Sequence, residues 1–131
     1  EGRCLIPASG FFEWKKLNGS KTPMYIYLKK RKFFTFAGIS SRWNAPDGTV
    51  VKTCLIITAN PNSFMDKIHD RMPVVLPREL ESAWIVPTLK NKNEILSMIK
   101  TCSAAEMNAY EVSNYVNSPR NNSPKCLERE S

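Results

Sequence analysis

The chain has 131 residues, 42% of them hydrophobic, and a formal net charge of +7. That length suits one domain with room for a modest core, and no apolar run approaches the roughly 18 residues that a membrane-spanning helix needs. The positive excess favours a polyanion, nucleic acid first, as partner, although solubility alone accounts for part of such an excess.

The opening, Glu1-Gly2-Arg3-Cys4-Leu5-Ile6-Pro7, lacks the basic region and long apolar stretch of a signal peptide. The first Met is Met24, so the chain is expected to be a fragment of a longer protein. Residues 11–14 (Phe-Phe-Glu-Trp) read as a short strand. Asn18-Gly19 follows as a hairpin turn, because that pair accepts positive φ at both central positions. Residues 24–28, rich in Tyr and Ile, form the return strand. The basic run 29–32 turns the chain into a strand over residues 33–39, with Gly38 at a close approach or bulge. Residues 44–48 form a loop, and the nearly all apolar or β-branched run 53–58 suits a strand buried on both faces.

Beyond it the period changes. Asn60 is placed to cap a short helix with Pro61 at its first position and with Phe64 and Ile68 on one face, ending near His69. Residues 72–76 read as extended. Helices follow at 77–84 and at 91–100, the second with Ile95, Leu96, Met98 and Ile99 as its apolar side. A strand over residues 110–116 leads into a loop-forming stretch, 117–124. The class is α+β, dominated by antiparallel strands.

Cys4, Cys54, Cys102 and Cys126 are far apart, with no CxxC and no His at ligand spacing, which argues against zinc and for reduced thiols. Cys4 and Cys54, in apolar runs, are expected to be buried structural thiols. Neither a metal nor a cofactor is expected.

Glu13 is the first residue that invites chemistry. Alternation puts it on one face with Phe11, where a carboxyl half-buried among rings loses hydration of its charged form and becomes a candidate general acid or base. The plainer alternative is a solvent-facing glutamate on an edge strand. His69, the sole histidine, closes the predicted helix; an imidazole titrates near neutrality and suits proton transfer, but a structural or surface role competes. Arg71 suits an ion pair with Asp70 or a phosphate contact. Trp14 suits the core or a platform on which a base stacks. Lys15, Lys16, Lys21 and the run 29–32, interleaved with Trp14, Tyr25, Tyr27 and Phe33, fit a groove for single-stranded nucleic acid or a solvated hairpin surface. No GxSxG, P-loop or HExxH pattern and no Cys beside His supplies a nucleophile.

Arg3-Cys4-Leu5-Ile6-Pro7-Ala8-Ser9-Gly10-Phe11-Phe12-Glu13-Trp14 resembles a signature block of the SRAP (SOS response-associated peptidase) family. So does Thr58-Ala59-Asn60-Pro61 followed by Ile68-His69-Asp70-Arg71-Met72-Pro73-Val74-Val75-Leu76, and so does the closing Val112-Ser113 with Val116-Asn117. The resemblance implies a single α+β domain, here residues 1–117 with a C-terminal loop or tail at 118–131. Its mainly antiparallel sheet is expected to be strongly curved and barrel-like, with short helices, a basic groove, and N-terminal strands missing. It implies capture of abasic sites in single-stranded DNA: the amine and thiol of an N-terminal Cys condense with the sugar aldehyde to a thiazolidine crosslink. Removal of a leader by autoproteolysis is implied as well, so the full-length protein is expected to be an enzyme. Glu13 and His69 match the proton-transfer residues, Arg71 a phosphate contact and Trp14 an aromatic against the DNA, with Thr58 near the site. The family's Cys and an Asn that positions the lesion fall upstream of this sequence, and Cys4 does not replace the former. The 131 residues alone are therefore expected not to crosslink DNA. A monomer, cytoplasmic or nuclear and independent of membranes, completes the expectation; a non-catalytic module binding single-stranded nucleic acid is the alternative.

Overall fold

The computed structural model describes residues 2–130. Its strands are β1 (Gly2–Ala8), β2 (Phe11–Leu17), β3 (Ser20–Leu28), β4 (Phe34–Asn44), β5 (Val50–Ile56), β6 (Thr58–Ala59), β7 (Met72–Pro73), β8 (Val75–Leu76) and β9 (Met107–Glu111). Every pairing is antiparallel. One sheet runs β1-β4-β5 with β8 alongside β4, a second runs β2-β3-β9, and β6 pairs with β7. The helices are α1 (Arg78–Ile85), α2 (Lys92–Ser97) and several 3-10 turns. This is the α+β class expected, with the strands divided among sheets that do not close into a barrel.

β4 holds the molecule together because both of its faces are used. Phe34 and Phe36 enter a cluster with Ile26, Leu28, Met65, Met72 and Met107, while Ala37 enters another with Val74, Leu76 and Trp84. Successive strand residues point to opposite faces, so one strand supplies both clusters. α1 covers the second cluster through Trp84, 1% exposed, whose indole N–H donates to the carbonyls of Cys4 (3.0 Å) and Gly38 (3.3 Å). Gly38 is required on the other face: a Cβ there would come within 2.8 Å of both the Cys4 sulfur and the Ile6 side chain.

The Asn18-Gly19 turn forms as expected, with φ of 51° and 79°. Other expectations need correction. The run 53–58 is not one strand buried on both faces: it splits into β5 and β6, and all of β5 is exposed, because α1 ends before reaching it. Cys54 is accordingly exposed and Cys4 only half-buried. α1 begins at Arg78 with Pro77 as its cap residue. α2 is shorter than residues 91–100; the Asn91 side chain accepts from the amides of Asn93 and Glu94, and Leu96 is exposed. The strand expected at 110–116 lies earlier, at β9, and residues 114–117 form a 3-10 turn. The tail packs back on β9: Arg129 bridges Val112, its guanidinium lies 4.3 Å from the Tyr110 ring, and Cys126 is buried.

Trp84→Ala is expected to cost about 3–5 kcal/mol, as loss of a buried indole leaves a cavity, and to lower the urea midpoint accordingly. A midpoint within error of wild type would show that α1 does not close the second cluster.

Candidate functional site

β2 is the edge strand of its sheet, and Glu13 stands on it opposite Met24. Phe11, two residues earlier on the same face, packs edge-on against Phe36 with ring centroids 5.8 Å apart. Glu13 thus sits where the core face reaches the sheet edge, with its side chain 25% exposed. A carboxylate there remains partly hydrated while one side faces apolar rings.

The segment opposite this edge is a loop, residues 60–71, closed at its neck by the β6–β7 pairs Thr58↔Pro73 and Ala59↔Met72. Its shape comes from Asn62 and not from an Asn60 cap. The Asn62 side-chain oxygen accepts from the amides of Phe64 (3.1 Å) and Met65 (3.0 Å), and its amide group donates to the Cys102 carbonyl (2.8 Å) and the Met107 sulfur (3.2 Å). In place of the expected helix over 60–69 there is a single 3-10 turn, Met65–Lys67, pinned by the fully buried Met65. The amides of Ile68 and His69 both return to the Met65 carbonyl, which fixes where the imidazole begins.

The imidazole meets Glu13. His69 Nε2 lies 3.7 Å from Glu13 Oε2. At the other nitrogen, the Arg71 amide donates to Nδ1 at 3.1 Å, and the Asp70 carboxylate also lies 3.1 Å from it. These contacts demand different protonation states. An amide can only donate, so the Arg71 N–H suits an Nδ1 that accepts. The Asp70 carboxylate, whose side chain is 91% exposed and correspondingly well screened, and the Arg71 carbonyl at 3.3 Å can only accept, so they suit an Nδ1 that carries a proton. In either state the ring is held at Nδ1 and leaves Nε2 facing Glu13.

Arg71 makes no ion pair with Asp70. Its guanidinium donates to the Thr58 carbonyl (2.8 Å), to Thr58 Oγ1 (3.1 and 3.3 Å) and to Asn60 Oδ1 (3.1 Å). These partners are neutral oxygens, so the side chain is held in place while its charge stays uncompensated and exposed to solvent. Thr58 thus serves as the seat of Arg71. Trp14 is half-buried and donates its indole N–H to Asn117 Oδ1 at 2.7 Å. Trp14, Lys16, Lys67 and His69 line a cleft of about 300 Å³. A larger cavity, of about 810 Å³, lies between the Lys29–Arg31 turn and the start of α1 and includes none of these residues. Glu13, Trp14, Thr58, His69 and Arg71 are therefore neighbours through direct contacts or a shared cleft. Sequence offered Asn60 only as a helix cap and Asn117 only within a family block, and did not single out Asn62; the Pro61-Asn62 pair is the local signal for that residue, since an Asn oxygen readily accepts from amides two and three residues on.

Among the described residues no group of three or more His, Cys, Asp or Glu side chains is placed to hold a metal, and no helix is long and apolar enough to cross a membrane.

The model of the family described as SOS response associated peptidase (SRAP) matches residues 1–119. "Abasic site processing protein YoqW" of Bacillus subtilis (strain 168) is 47% identical over 127 residues, covering 96% of this chain and 57% of the relative. "Abasic site processing protein HMCES" of Xenopus tropicalis is 30% identical over 148 residues, covering 95% of this chain and 42% of the relative. A crystal structure of a Bacteroides thetaiotaomicron protein superposes with a TM-score of 0.90 at 35% identity, covering all of this chain and 58% of that one. The chain thus spans about half the length of the curated relatives it matches.

Asn62→Ala removes the capping oxygen and the tie to Cys102 and is expected to destabilise the fold by about 1–3 kcal/mol. The His69 ring resonances should also broaden or shift in NMR spectra. An unchanged stability with an unmoved ring would refute the role given to Asn62.

Proposed function

The chain belongs to the SRAP family, and from that premise we propose that residues 1–131 carry the proton-transfer and DNA-contact parts of an abasic-site processing protein. The observation that carries this reading is the approach of Glu13 Oε2 to His69 Nε2, 3.7 Å apart, beside the cleft that Trp14 lines. That separation is too long for a direct hydrogen bond and leaves each group able to bond instead to a reacting oxygen beside the pair.

In the proposed reaction the ring-closed sugar of an abasic site opens to an aldehyde. A primary amine adds to the aldehyde carbon; the resulting hydroxyl takes a proton and leaves as water, giving an iminium. A thiolate then attacks the same carbon, closing a thiazolidine, so that the overall change is aldehyde plus aminothiol to thiazolidine plus water. Glu13 is the acid and base for ring opening and loss of water, and His69, with Nε2 turned toward it, is its partner. Arg71 takes the phosphate beside the lesion, its geometry set by Thr58 and Asn60. Trp14, braced by Asn117, offers an aromatic face to the DNA.

The aminothiol is the N-terminal Cys that the family resemblance places outside this sequence. The cysteines present are poorly suited to replace it. Cys4 and Cys54 belong to the other sheet, and Cys126 is buried. The Cys102 thiol is pushed up to about 11 by burial, with Glu106 adding to the effect, so it stays neutral. Cleavage of a leader peptide would draw on the same acid–base pair.

In the full-length protein, Glu13→Gln is expected to slow adduct formation with abasic single-stranded DNA by about 10²-fold or more, while DNA affinity stays near wild type. An equal rate, read on denaturing gels, would overturn the role given to Glu13, and no adduct from the wild type, with salt-dependent DNA binding unchanged by Glu13→Gln, would favour a non-catalytic binding module. Arg71→Ala is expected to weaken binding and reduce the slope of log K against log salt by about 1.

A further inference from the structure

The cavity of about 810 Å³ shares no residue with the cleft that Trp14 and His69 line. One of its walls is the turn after β3, which is fastened to the segment 103–106: the Lys29 amide donates to the Glu106 carbonyl at 2.9 Å, and Lys29 Nζ to the Ala105 carbonyl at 3.0 Å. Leu28 and Val75, both buried in the cluster around Phe34 and Phe36, give it an apolar lining together with the half-buried Pro77 and Cys102. Around that lining stand Lys29, Lys30, Arg31, Arg78 and Lys100, five cations against two carboxylates, Glu79 and Glu106. A cavity of this size takes a whole small molecule, and its charge selects an anion.

Arg31 is the unusual member of this set. Its Nη1 donates to the Leu76 carbonyl at 3.1 Å, but Nε and Nη2 are shielded from water and have no hydrogen-bond partner. Its ion-pair partner Glu81 lies 3.6 Å from Nη2, beyond hydrogen-bond range, and the same carboxylate oxygen already accepts from the Thr35 hydroxyl at 2.8 Å. Buried donors are nearly always satisfied, so this guanidinium carries a charge that the fold only partly balances. The charge is felt in the cavity wall, where it works against burial and Glu106 at the Cys102 thiol. Lys29, Lys30, Arg78 and Lys100 make no ion pair among the described residues, so their charges are not cancelled locally either. α1 opens on the same cavity at residues 77–79 without a side-chain cap, and its first amides add to the positive potential.

We infer that this cavity is a second binding site, for a nucleoside phosphate: the ring lies against Leu28, Val75 and Pro77, and the phosphate is held by the exposed Arg78 and Lys100 in the field of Arg31. A bare phosphate would leave the apolar lining empty. An acyl chain would have no use for the Thr101 hydroxyl or for the Glu79 and Glu106 carboxylates, which can accept from the amino group of a base or the hydroxyl of a sugar. A flat ring joined to a phosphate matches both halves of the surface. The chemistry proposed for Glu13 and His69 plays no part in the inference.

The test is an NMR titration of the full-length protein with thymidine 5′-monophosphate, which should shift and saturate amide resonances within residues 28–31, 75–79 and 100–106. Thymidine and inorganic phosphate, each half of the ligand, should bind at least about tenfold more weakly. Arg31→Met should weaken the mononucleotide by about tenfold, and so should Lys100→Glu, whose exposed position leaves folding intact. The trinucleotide of thymidine distinguishes two sources of the same chemistry. Phe33, 62% exposed just past the turn, offers a face to a second base. Tighter binding than the mononucleotide, lost in Phe33→Ala, would make the ligand part of a nucleic-acid strand, and equal binding would make it a free nucleotide. No shift in these amides, shifts confined to Trp14 and His69, thymidine or phosphate binding as tightly as the nucleotide, or full affinity in both charge variants would each overturn the inference.

Discussion

The candidate site depends on a single side-chain amide. Asn62 satisfies the first free amides of the Met65–Lys67 turn with its oxygen and ties the same loop to Cys102 and Met107 with its nitrogen. Those contacts are far apart in sequence, so one residue does the work of a longer helix. Without it, the loop would keep only a two-residue strand pair, the packing of Phe64, Met65 and Ile68 on the core and the Arg71 bonds to Thr58 and Asn60 to hold it near the edge of β2. A local hydrogen-bond network has replaced regular secondary structure at the point where functional groups are presented, as rigid scaffolds commonly present them on loops.

From that anchor the site's electrostatics follow. The backbone fixes the imidazole through the Arg71 amide, and the same residue's guanidinium is turned away to Thr58 and Asn60. The Arg71 backbone and the Asp70 carboxylate meet Nδ1 and so direct Nε2 at Glu13. Binding Arg71 through neutral oxygens keeps its full charge for an external anion, which an Asp70 pair would have reduced. The chain's +7 excess makes such a surface attractive to a phosphate backbone at long range.

Much of this was legible in the sequence, and the gaps have physical causes. The Asn18-Gly19 hairpin was readable because only a few residue types accept its dihedrals. Glu13 beside Phe11 was readable because strands alternate. Alternation and apolar runs do not reveal where a covering helix ends, and for that reason β5 looked buried when it is exposed. The cap was assigned to Asn60 because helix-start rules favour an Asn before Pro; the true geometry is an Asx turn two residues later, at Asn62, stabilised by a tertiary bond to Cys102 that no local pattern encodes. The convergence of residues 13 and 69 is likewise a property of the tertiary fold. Their separate motifs suggested chemistry, and the family resemblance joined them, but neither spacing nor composition could bring them within contact.

The central claim is that Glu13 and His69 act as one unit on one reacting centre. A double-mutant cycle on the rate of adduct formation by the full-length protein, using Glu13→Gln, His69→Gln and the pair, tests it most directly. Groups that share a step should be strongly non-additive, the double variant being about as slow as the slower single variant. Rate defects that simply multiply would mean that the carboxylate and the imidazole work independently, contradicting the account.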